Sequence, residues 1–244
     1  MKILWNNTAV DATLSATTED SDYPVENIQD VRTKKVFRST DDAAERIVFA
    51  GTATASYCVI INHNFSSSAT IKIEGNDSDS WGSPSLSETM TYNSGMIVKS
   101  FTEATYDYWS IYVDDNNSDG YIEIGFVFIG TYLRMPKMKR DQSIPKSVNS
   151  YQQVGQGGQV FGGINYHYRE FDVNFKFLTN TQRHNIVSMF STVGDVTPII
   201  LIPWTDRDFE NYMYAIINQK TINFERTDSQ NYPWETNMKF REVV

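Results

Sequence analysis

The sequence predicts a mainly β protein with two domains, the second of which carries a single helix. Aromatic residues make up 14% of the 244 residues. Many of them alternate with Val, Ile and Thr in short segments, which suits half-buried strands. A chain of this length fills one large core or two modest ones. Two are expected here, because the composition changes near residue 135 and strand-like segments resume after residue 164.

The first domain is predicted to consist of strands, since no amphipathic helix longer than two turns is indicated before residue 135. The segment YCVIINH, residues 57–63, is short and continuously apolar, as a strand covered on both faces would be. The segment ATIKIEG, residues 69–75, alternates between isoleucines on one face and charged residues on the other. These two segments are predicted to pair in a β-sandwich.

Two further alternating segments are predicted to form a hairpin. In YWSIYVDD, residues 108–115, Trp109 shares a face with Ile111 and Val113. In GYIEIGFVFIG, residues 120–130, every second residue is again apolar. The sequence NNSDG between the two segments contains the Asn, Asp and Gly that tight turns require. It therefore predicts a reversal that joins two neighbouring strands.

A basic and glycine-rich stretch predicts a linker arm between the domains. Its first part, RMPKMKRDQSIPK, carries Lys137, Lys139 and Arg140, and its second part, GQGGQVFGG, is flexible. We expect this arm to contact neighbouring subunits. Three glycines of the arm, Gly155, Gly157 and Gly158, are expected to let the chain change direction. The predicted bounds are 1–22 for an N-terminal strand or arm, 23–135 for the first domain, 136–163 for the linker arm and 164–244 for the second domain.

The second domain opens with an alternating segment, FDVNFKFLT, residues 171–179, which predicts a strand. Apolar residues at helical spacing follow, so a helix is predicted over about 180–193. Thr179 or Thr181 is expected to cap its N-terminus, and Gly194 is expected to end it. The segments after the helix are again typical of strands.

Charge and composition exclude several classes of partner. Thirty acidic against 21 basic residues give a net charge of −9, which disfavours nucleic-acid binding because that depends on Lys and Arg at phosphates. No segment approaches the roughly 18 apolar residues of a membrane span, and the N-terminus lacks the apolar stretch of a signal peptide. With one cysteine, no disulfide can form within the chain.

Cys58 and His63 lie close together in the sequence and raise the question of a nucleophile and its base. Cys58 is in a continuously apolar strand, where nothing nearby would lower its pKa. His63 follows five residues later, about 16 Å along an extended strand and on its opposite face. The two are therefore not expected to form a dyad, and Asn62, His63 and Asn64 are predicted to end and turn the strand.

The sequence DNNSDG contains the first half of a calcium loop, with Asp115, Asn117 and Asp119 at alternate positions before Gly120. The bidentate acid due six residues after that glycine is replaced by Phe126. The three residues are candidate calcium ligands, with a solvated hairpin turn as the alternative. We find no other metal, cofactor or catalytic motif in the sequence, so an enzyme is not expected.

Three blocks of the first domain carry a resemblance to a known family: YPVENIQDVRTKKVFRST, the stretch from Arg46 to Trp81, and GYIEIGFVFIGTYLRM. They resemble a module of tailed-bacteriophage virion proteins that is similar to a galactose-binding, discoidin-like jelly roll. The resemblance implies a jelly-roll β-sandwich and a scaffold role for the Asn-His-Asn turn. The matched residues are Tyr23, Pro24, Asn27, Asp30, Arg38, Ser39, Asn62, His63 and Asn64.

The second domain, from REFDVNFKFLT to IILIPW, is similar to the strand, helix and strand of tail-hub β-domains. Together these resemblances imply a structural virion protein of a bacteriophage tail, at the tip, the hub or an adaptor ring. Its expected partners are further copies of itself in a homo-oligomeric ring and other tail proteins. Its expected location is the virion, after assembly in the host cytoplasm. The order of domains is reversed relative to distal tail proteins, which leaves its position in the tail open.

The alternative function is a non-catalytic carbohydrate-binding module for host-surface glycans. Trp81 is the candidate stacking platform, since it lies among Ser and Gly, and Asp77 and Asp79 are the candidate hydroxyl acceptors. Trp109 and Tyr112 are the other aromatic candidates, but Trp109 is expected in the core because it is in phase with the apolar residues of its strand. A hydrolase of glycans is not expected, because paired carboxylates in a recognisable setting are lacking.

Overall fold

The computed structural model describes residues 1–136, 144–204, 212–227 and 233–243. The chain divides into two compact units. Asn6–Tyr132 is called the jelly-roll unit here, and Met1–Trp5 with Leu133–Val244 is called the second unit. Strands dominate both units, which confirms the predicted fold class of a jelly-roll β-sandwich followed by a β-rich domain with one helix.

The strands in chain order are β1 (Lys2–Leu4), β2 (Thr13–Ala16), β3 (Phe37–Arg38), β4 (Glu45–His63), β5 (Thr70–Asn76), β6 (Leu86–Met90), β7 (Met96–Asp114), β8 (Glu123–Gly130), β9 (Leu133–Arg134), β10 (Lys146–Val154), β11 (Val160–Leu178), β12 (Ile199–Ile202), β13 (Met213–Ile217), β14 (Phe224–Arg226) and β15 (Trp234–Glu242). The helix α1 spans Asn180–Val193, and short 3-10 helices span Thr8–Asp11 and Val25–Gln29.

The jelly-roll unit is built on β4 and β7, two strands of 19 residues that pair along their length. Bulges interrupt the pairing between Ala50 and Ala53 and between Ala55 and Tyr57. Gly51, at the first bulge, has a φ of 144°, a conformation that favours glycine. The bulges let each strand bend, so that its two halves lie in the two layers of the sandwich. The strand order is β3-β8-β4-β7-β5-β6, with β2 paired to β4.

One apolar core lies between these layers. Phe49, from the first half of β4, and Cys58, from the second half, belong to the same buried cluster, so both halves face one interior. Trp109 is buried in this core, as its phase in the strand predicts, and its Nε1 donates a hydrogen bond of 3.0 Å to the carbonyl of Ala53.

Two of the predicted strand pairs are wrong. β4 and β5 are not neighbours, because β7 lies between them, and β7 and β8 form no hairpin, because β4 lies between them. The segment that joins β7 to β8 instead crosses from one layer to the other, since the end of β7 pairs with β5 whereas β8 pairs with the second half of β4. The residues NNSDG predicted a change of direction correctly, but turn residues carry no information about the next strand's partner.

The second unit is an antiparallel sheet of order β10-β11-β15-β13-β12-β1-β9, with β14 paired to β15. The helix α1 begins and ends as predicted, with Thr179 as its cap in a capping box with Gln182 and Gly194 after its last turn. Ile186 and Met189 of the helix are buried in one cluster with apolar residues of β11, β13 and β15.

The unit boundaries differ from the predicted ones at two places. β1 pairs with β12 and β9 and so belongs to the second unit, while the residues from Asn6 onward belong to the jelly-roll unit. Much of the predicted linker is regular structure, because β10 and the first part of β11 pair as a hairpin. Lys137, Lys139 and Arg140 lie outside the described residues, and Gly155, Gly157 and Gly158 lie at or next to the end of the hairpin.

Candidate functional site

A polar and aromatic cluster surrounds Arg38 on the jelly-roll unit, and we call Tyr23, Arg38, Tyr121 and Glu123 the Arg38 cluster. The guanidinium carbon of Arg38 lies 4.0 Å from the ring centroid of Tyr23 and 4.8 Å from that of Tyr121. Its Nε donates a hydrogen bond of 2.7 Å to Oε2 of Glu123. The guanidinium is thereby held near two rings and by one carboxylate.

The backbone around the Arg38 cluster explains why these side chains meet. β3 pairs with β8 in a register that places Arg38 opposite Glu123. The N–H of Arg38 donates to the carbonyl of Tyr23 at 3.0 Å, and the N–H of Asp20 donates to the carbonyl of Arg38 at 2.9 Å. Pro24 then directs the chain into the 3-10 helix at Val25–Gln29. The Tyr-Pro segment therefore packs along the strand that carries Arg38.

The electrostatics of the Arg38 cluster favour a neutral ligand over an anion. The hydrogen bond to Glu123 raises the pKa of Arg38, so the guanidinium stays charged but is neutralised by its partner. Its side chain is 29% exposed, and its two terminal nitrogens make no hydrogen bond with any described residue. They can donate to hydroxyl oxygens of a ligand. The carboxylate of Glu123 beside the guanidinium opposes binding of an anion.

Trp81 lies in a second cluster on the outer face of the sheet, where it covers a buried ion pair. The guanidinium carbon of Arg46 is 4.9 Å from the ring centroid of Trp81 and 5.0 Å from that of Tyr112. Arg46 donates to Oε2 of Glu74, which is buried. The second oxygen of this carboxylate accepts a hydrogen bond of 3.1 Å from Ser87.

The structure brings together two of the three predicted glycan-binding residues. The indole Nε1 of Trp81 donates a hydrogen bond of 2.7 Å to Oδ1 of Asp79. Asp77 is exposed in the same loop. Because the indole lies near Arg46 and is tied to Asp79, part of its surface already has a partner within the protein. Glycan binding by Trp81, Asp77 and Asp79 remains a prediction.

The Asn-His-Asn turn is a hydrogen-bonded scaffold at the end of β4. Asn62 has a φ of 56°, and its side-chain amide donates a hydrogen bond of 2.7 Å to the carbonyl of Thr33. Asn64 donates to the carbonyl of Tyr121 at 2.8 Å and accepts from the N–H of Glu123 at the same distance. The two bonds of Asn64 hold the backbone of Tyr121 and Glu123, which are members of the Arg38 cluster.

The three candidate calcium ligands point to different partners within the protein. Asp115 is buried and accepts hydrogen bonds from the N–H and the hydroxyl of Ser66. Asn117 accepts from the N–H groups of Asp119 and Gly120, and Asp119 accepts from the side chain of Asn64 at 3.1 Å. Within the described ranges, no three His, Cys, Asp or Glu side chains converge as metal ligands would. Calcium binding here stays a prediction.

A polar groove of about 270 Å³ lies on the second unit. It is lined by Asn174, Gln219, Thr221, Asn223, Glu225, Glu235, Thr236 and Asn237. The lining holds no aromatic side chain, so the groove offers no stacking surface for a sugar ring.

No described helix has the length and apolarity needed to cross a membrane.

The sequence indicated only part of the Arg38 cluster. Arg38 and Tyr23 belong to the residues that carry the resemblance, whereas no pattern in the sequence indicates Glu123, which lies 85 residues from Arg38. The pairing of β3 with β8 brings them together, and no local pattern signals that pairing.

No protein-family model and no curated protein matches the chain. Several solved carbohydrate-binding modules are similar to about half of it. One of them is chitosan-binding module 1 of a chitosanase/glucanase from Paenibacillus sp. IK-5, which is 19% identical in sequence. This match covers 51% of this chain and 98% of the module, with a TM-score of 0.42. A fucose-binding module from Streptococcus pneumoniae is 12% identical, and the match covers 51% of this chain and 94% of that module, with a TM-score of 0.43.

A third similar structure is the family 32 carbohydrate-binding module of C. perfringens NanJ in complex with galactose. It has 14% identity and covers 54% of this chain and 99% of its own, with a TM-score of 0.41. At these scores and identities, the three matches assign neither a ligand nor a residue role to this chain.

Proposed function

We propose that the jelly-roll unit is a non-catalytic carbohydrate-binding module that binds a neutral glycan at the Arg38 cluster. The observation that carries this proposal is the pair of terminal Arg38 nitrogens, which make no hydrogen bond with a described residue. The side chain that bears them is 29% exposed and lies near two tyrosine rings. Such an arrangement provides directed donors for vicinal hydroxyl groups.

Within the cluster, Glu123 is proposed to position Arg38 and to bind the ligand itself. Glu123 fixes the guanidinium through its Nε, so that little side-chain entropy is lost when the terminal nitrogens bind a ligand. The free oxygen of Glu123 can accept a hydrogen bond from a sugar hydroxyl. No group in this arrangement is placed as a nucleophile or as a general acid, so the proposed function is binding without turnover.

The proposal is tested with the full chain on an array of neutral, sialylated and sulfated glycans, followed by calorimetry with the best neutral ligand. The variant Arg38→Gln is expected to weaken binding at least about tenfold, because it removes the charged fork. The matched control is Arg32→Gln, since Arg32 is an exposed arginine of the same unit that is also paired with a carboxylate, Asp30. Absence of binding to all neutral glycans would refute the proposal.

The variant Trp81→Ala separates the two candidate surfaces. If the Arg38 cluster holds the glycan, this variant binds with the affinity of the unaltered protein. If Trp81→Ala abolishes binding while Arg38→Gln retains it, the glycan is held at the surface predicted from Trp81, Asp77 and Asp79, and the assignment to Arg38 is wrong.

The second candidate function is a structural role in a bacteriophage tail, with assembly into a homo-oligomeric ring beside other tail proteins. The resemblance of the sequence blocks suggested it, and the comparisons with solved structures give it no support. The specific observation in its favour is the hairpin of β10 and β11, which carries exposed apolar residues. Mass spectrometry of purified particles from cells that make the protein tests it, and its absence from every particle would refute it.

A further inference from the structure

The hairpin formed by β10 and β11 has two strand edges without a neighbour among the described residues. It runs from the pair Lys146–Arg169 to the pair Val154–Val160. β15 pairs with β11 only from Glu170 onward, so the residues from Val160 to Tyr168 have β10 as their one described strand neighbour. β10 in turn pairs with β11 alone. A hairpin of two strands is marginally stable by itself, so further strand neighbours would stabilise this one.

The hairpin also exposes apolar side chains on both of its faces. Seven large apolar residues in it are between 39% and 71% exposed: Val148, Tyr151, Val154, Val160, Phe161, Ile164 and Tyr166. Tyr151 lies across Gly163, where an added Cβ would meet its ring at 2.9 Å. Val154 is opposite Val160 on the other face, because successive residues of a strand alternate. Packing against one surface would therefore leave one apolar face exposed.

The hairpin has one irregularity in its pairing, between Asn149 and Ser150, but it lacks the charged and proline residues that protect many edge strands. From Ser147 to Tyr168 the chain has no Asp, Glu, Lys, Arg or Pro, although 21% of the whole chain is charged and its net charge is −9. Edge strands that stay unpaired usually carry Lys or Pro. An uncharged surface gives a charged partner nothing to recognise, but it lets two copies of an acidic protein approach without local repulsion.

We propose that the hairpin pairs with the hairpins of further copies of this chain, the outer edge of β10 against the free edge of β11 in the next copy. This head-to-tail pairing uses both edges of every hairpin. It closes when the rotation between copies permits, and a closed set of strands has no remaining edges. One apolar face then lines the interior of the closed sheet, and the other faces outward against the subunits.

This inference rests on the assembly role of the second proposed function and is independent of glycan binding. It does not require that the assembly belong to a phage. The unaltered protein is expected to have a molar mass that is a multiple of 28.0 kDa by light scattering. A monomer at all concentrations up to several hundred micromolar would refute self-association altogether.

The hairpin itself is tested by Val154→Asp, which places a charge at an exposed apolar position. The matched control is Val196→Asp, since Val196 is 76% exposed in the second unit outside the hairpin, compared with 71% for Val154. We expect Val154→Asp to weaken association by about tenfold or more while its thermal unfolding is unchanged, and Val196→Asp to assemble normally. Normal assembly of both variants would show that copies associate elsewhere and would overturn the role of the hairpin.

Engineered cysteines distinguish head-to-tail pairing from two-fold pairing. The only native cysteine, Cys58, is buried. Single cysteines are placed along β10 in one preparation and along β11 in another, and the preparations are mixed and oxidised. Head-to-tail pairing predicts disulfides between a β10 cysteine and a β11 cysteine, and none between two β10 cysteines. Efficient β10–β10 disulfides would indicate a two-fold dimer and would overturn the proposal.

Discussion

The backbone N–H of Phe65 donates a hydrogen bond of 3.2 Å to Nδ1 of His63. Nδ1 is therefore the acceptor nitrogen of a neutral imidazole, and Nε2 carries the proton and donates to the carbonyl of Asn93 at 2.9 Å. The ring is also stacked on Phe65, with 4.5 Å between the centroids. His63 is thus a structural residue that the fold holds in its neutral form.

This arrangement predicts how stability depends on pH. Burial lowers the pKa of His63, an effect that its hydrogen bond to Asn93 and the nearby Asp115 oppose. Below the ordinary histidine pKa, about 6.5, the unfolded chain binds a proton that the folded chain does not bind, so stability falls as the pH falls. Urea unfolding at pH 7.5 and 5.5 should show a larger loss for the unaltered protein than for His63→Gln. An equal loss of stability in the two proteins would contradict the conclusion that His63 is buried in its neutral form.

Glu74→Gln is predicted to reduce the free energy of unfolding by about 3 kcal/mol. It removes the charge that compensates the partly buried guanidinium of Arg46. The matched control is Glu88→Gln, because Glu88 pairs with Lys99 at 2.9 Å but is 43% exposed, and its loss should cost less than about 1 kcal/mol. Equal effects of the two variants in urea unfolding would mean that the Arg46–Glu74 pair is solvated.

Gly125→Ala is predicted to destabilise the jelly-roll unit by about 3 kcal/mol or more. A Cβ at this position would lie 2.0 Å from the carbonyl oxygen of Thr33 and 2.9 Å from the side chain of Asn62, which are hydrogen-bonded to each other. Gly82→Ala is the control, since nothing lies within 4 Å of its added Cβ, and its effect should stay within about 0.5 kcal/mol. Thermal unfolding of both variants checks this, and a harmless Gly125→Ala would rule out the close approach.

Thr179→Ala is predicted to cost about 1 kcal/mol, whereas Thr181→Ala is predicted to be nearly neutral. The hydroxyl of Thr179 accepts from the N–H of Gln182 at 3.1 Å, and Gln182 accepts from the N–H of Thr179 at 3.0 Å. Thr181 is exposed within the first turn of α1. Circular dichroism melts of the two variants decide which threonine caps the helix. A larger loss for Thr181→Ala would contradict the observed capping box.

Much of the local structure could be predicted from the sequence because its causes are local. The cap, the spacing of apolar residues and the final glycine of α1 lie within 16 residues of one another. The faces of β5 and β7 follow from alternation alone, since Ile71, Ile73 and Trp109 are buried as their phase requires. Strand neighbours could not be predicted in the same way, because β4 pairs with β7 and β8 across long stretches of chain.

The candidate site and the hairpin were harder to predict for related reasons. Arg38 meets Glu123 only because β3 and β8 are neighbours, which no local pattern indicates. Most of the hairpin was predicted as part of a linker, because its glycines are typical of flexible chain and a basic, proline-bearing stretch precedes it. In the structure Gly162 and Gly163 lie within strand β11, where they allow the close approach of Tyr151.

The most direct test of the proposed glycan site is a nuclear magnetic resonance titration that follows the Nε–Hε signal of Arg38. The probes are galactose, glucose, mannose and N-acetylglucosamine, together with the best neutral ligand from the array. We predict that at least one of them shifts this signal and the ring signals of Tyr23 and Tyr121 with a single dissociation constant. Shifts confined to Trp81 or to the second unit, with the Arg38 signal unmoved, would contradict the assignment of the site.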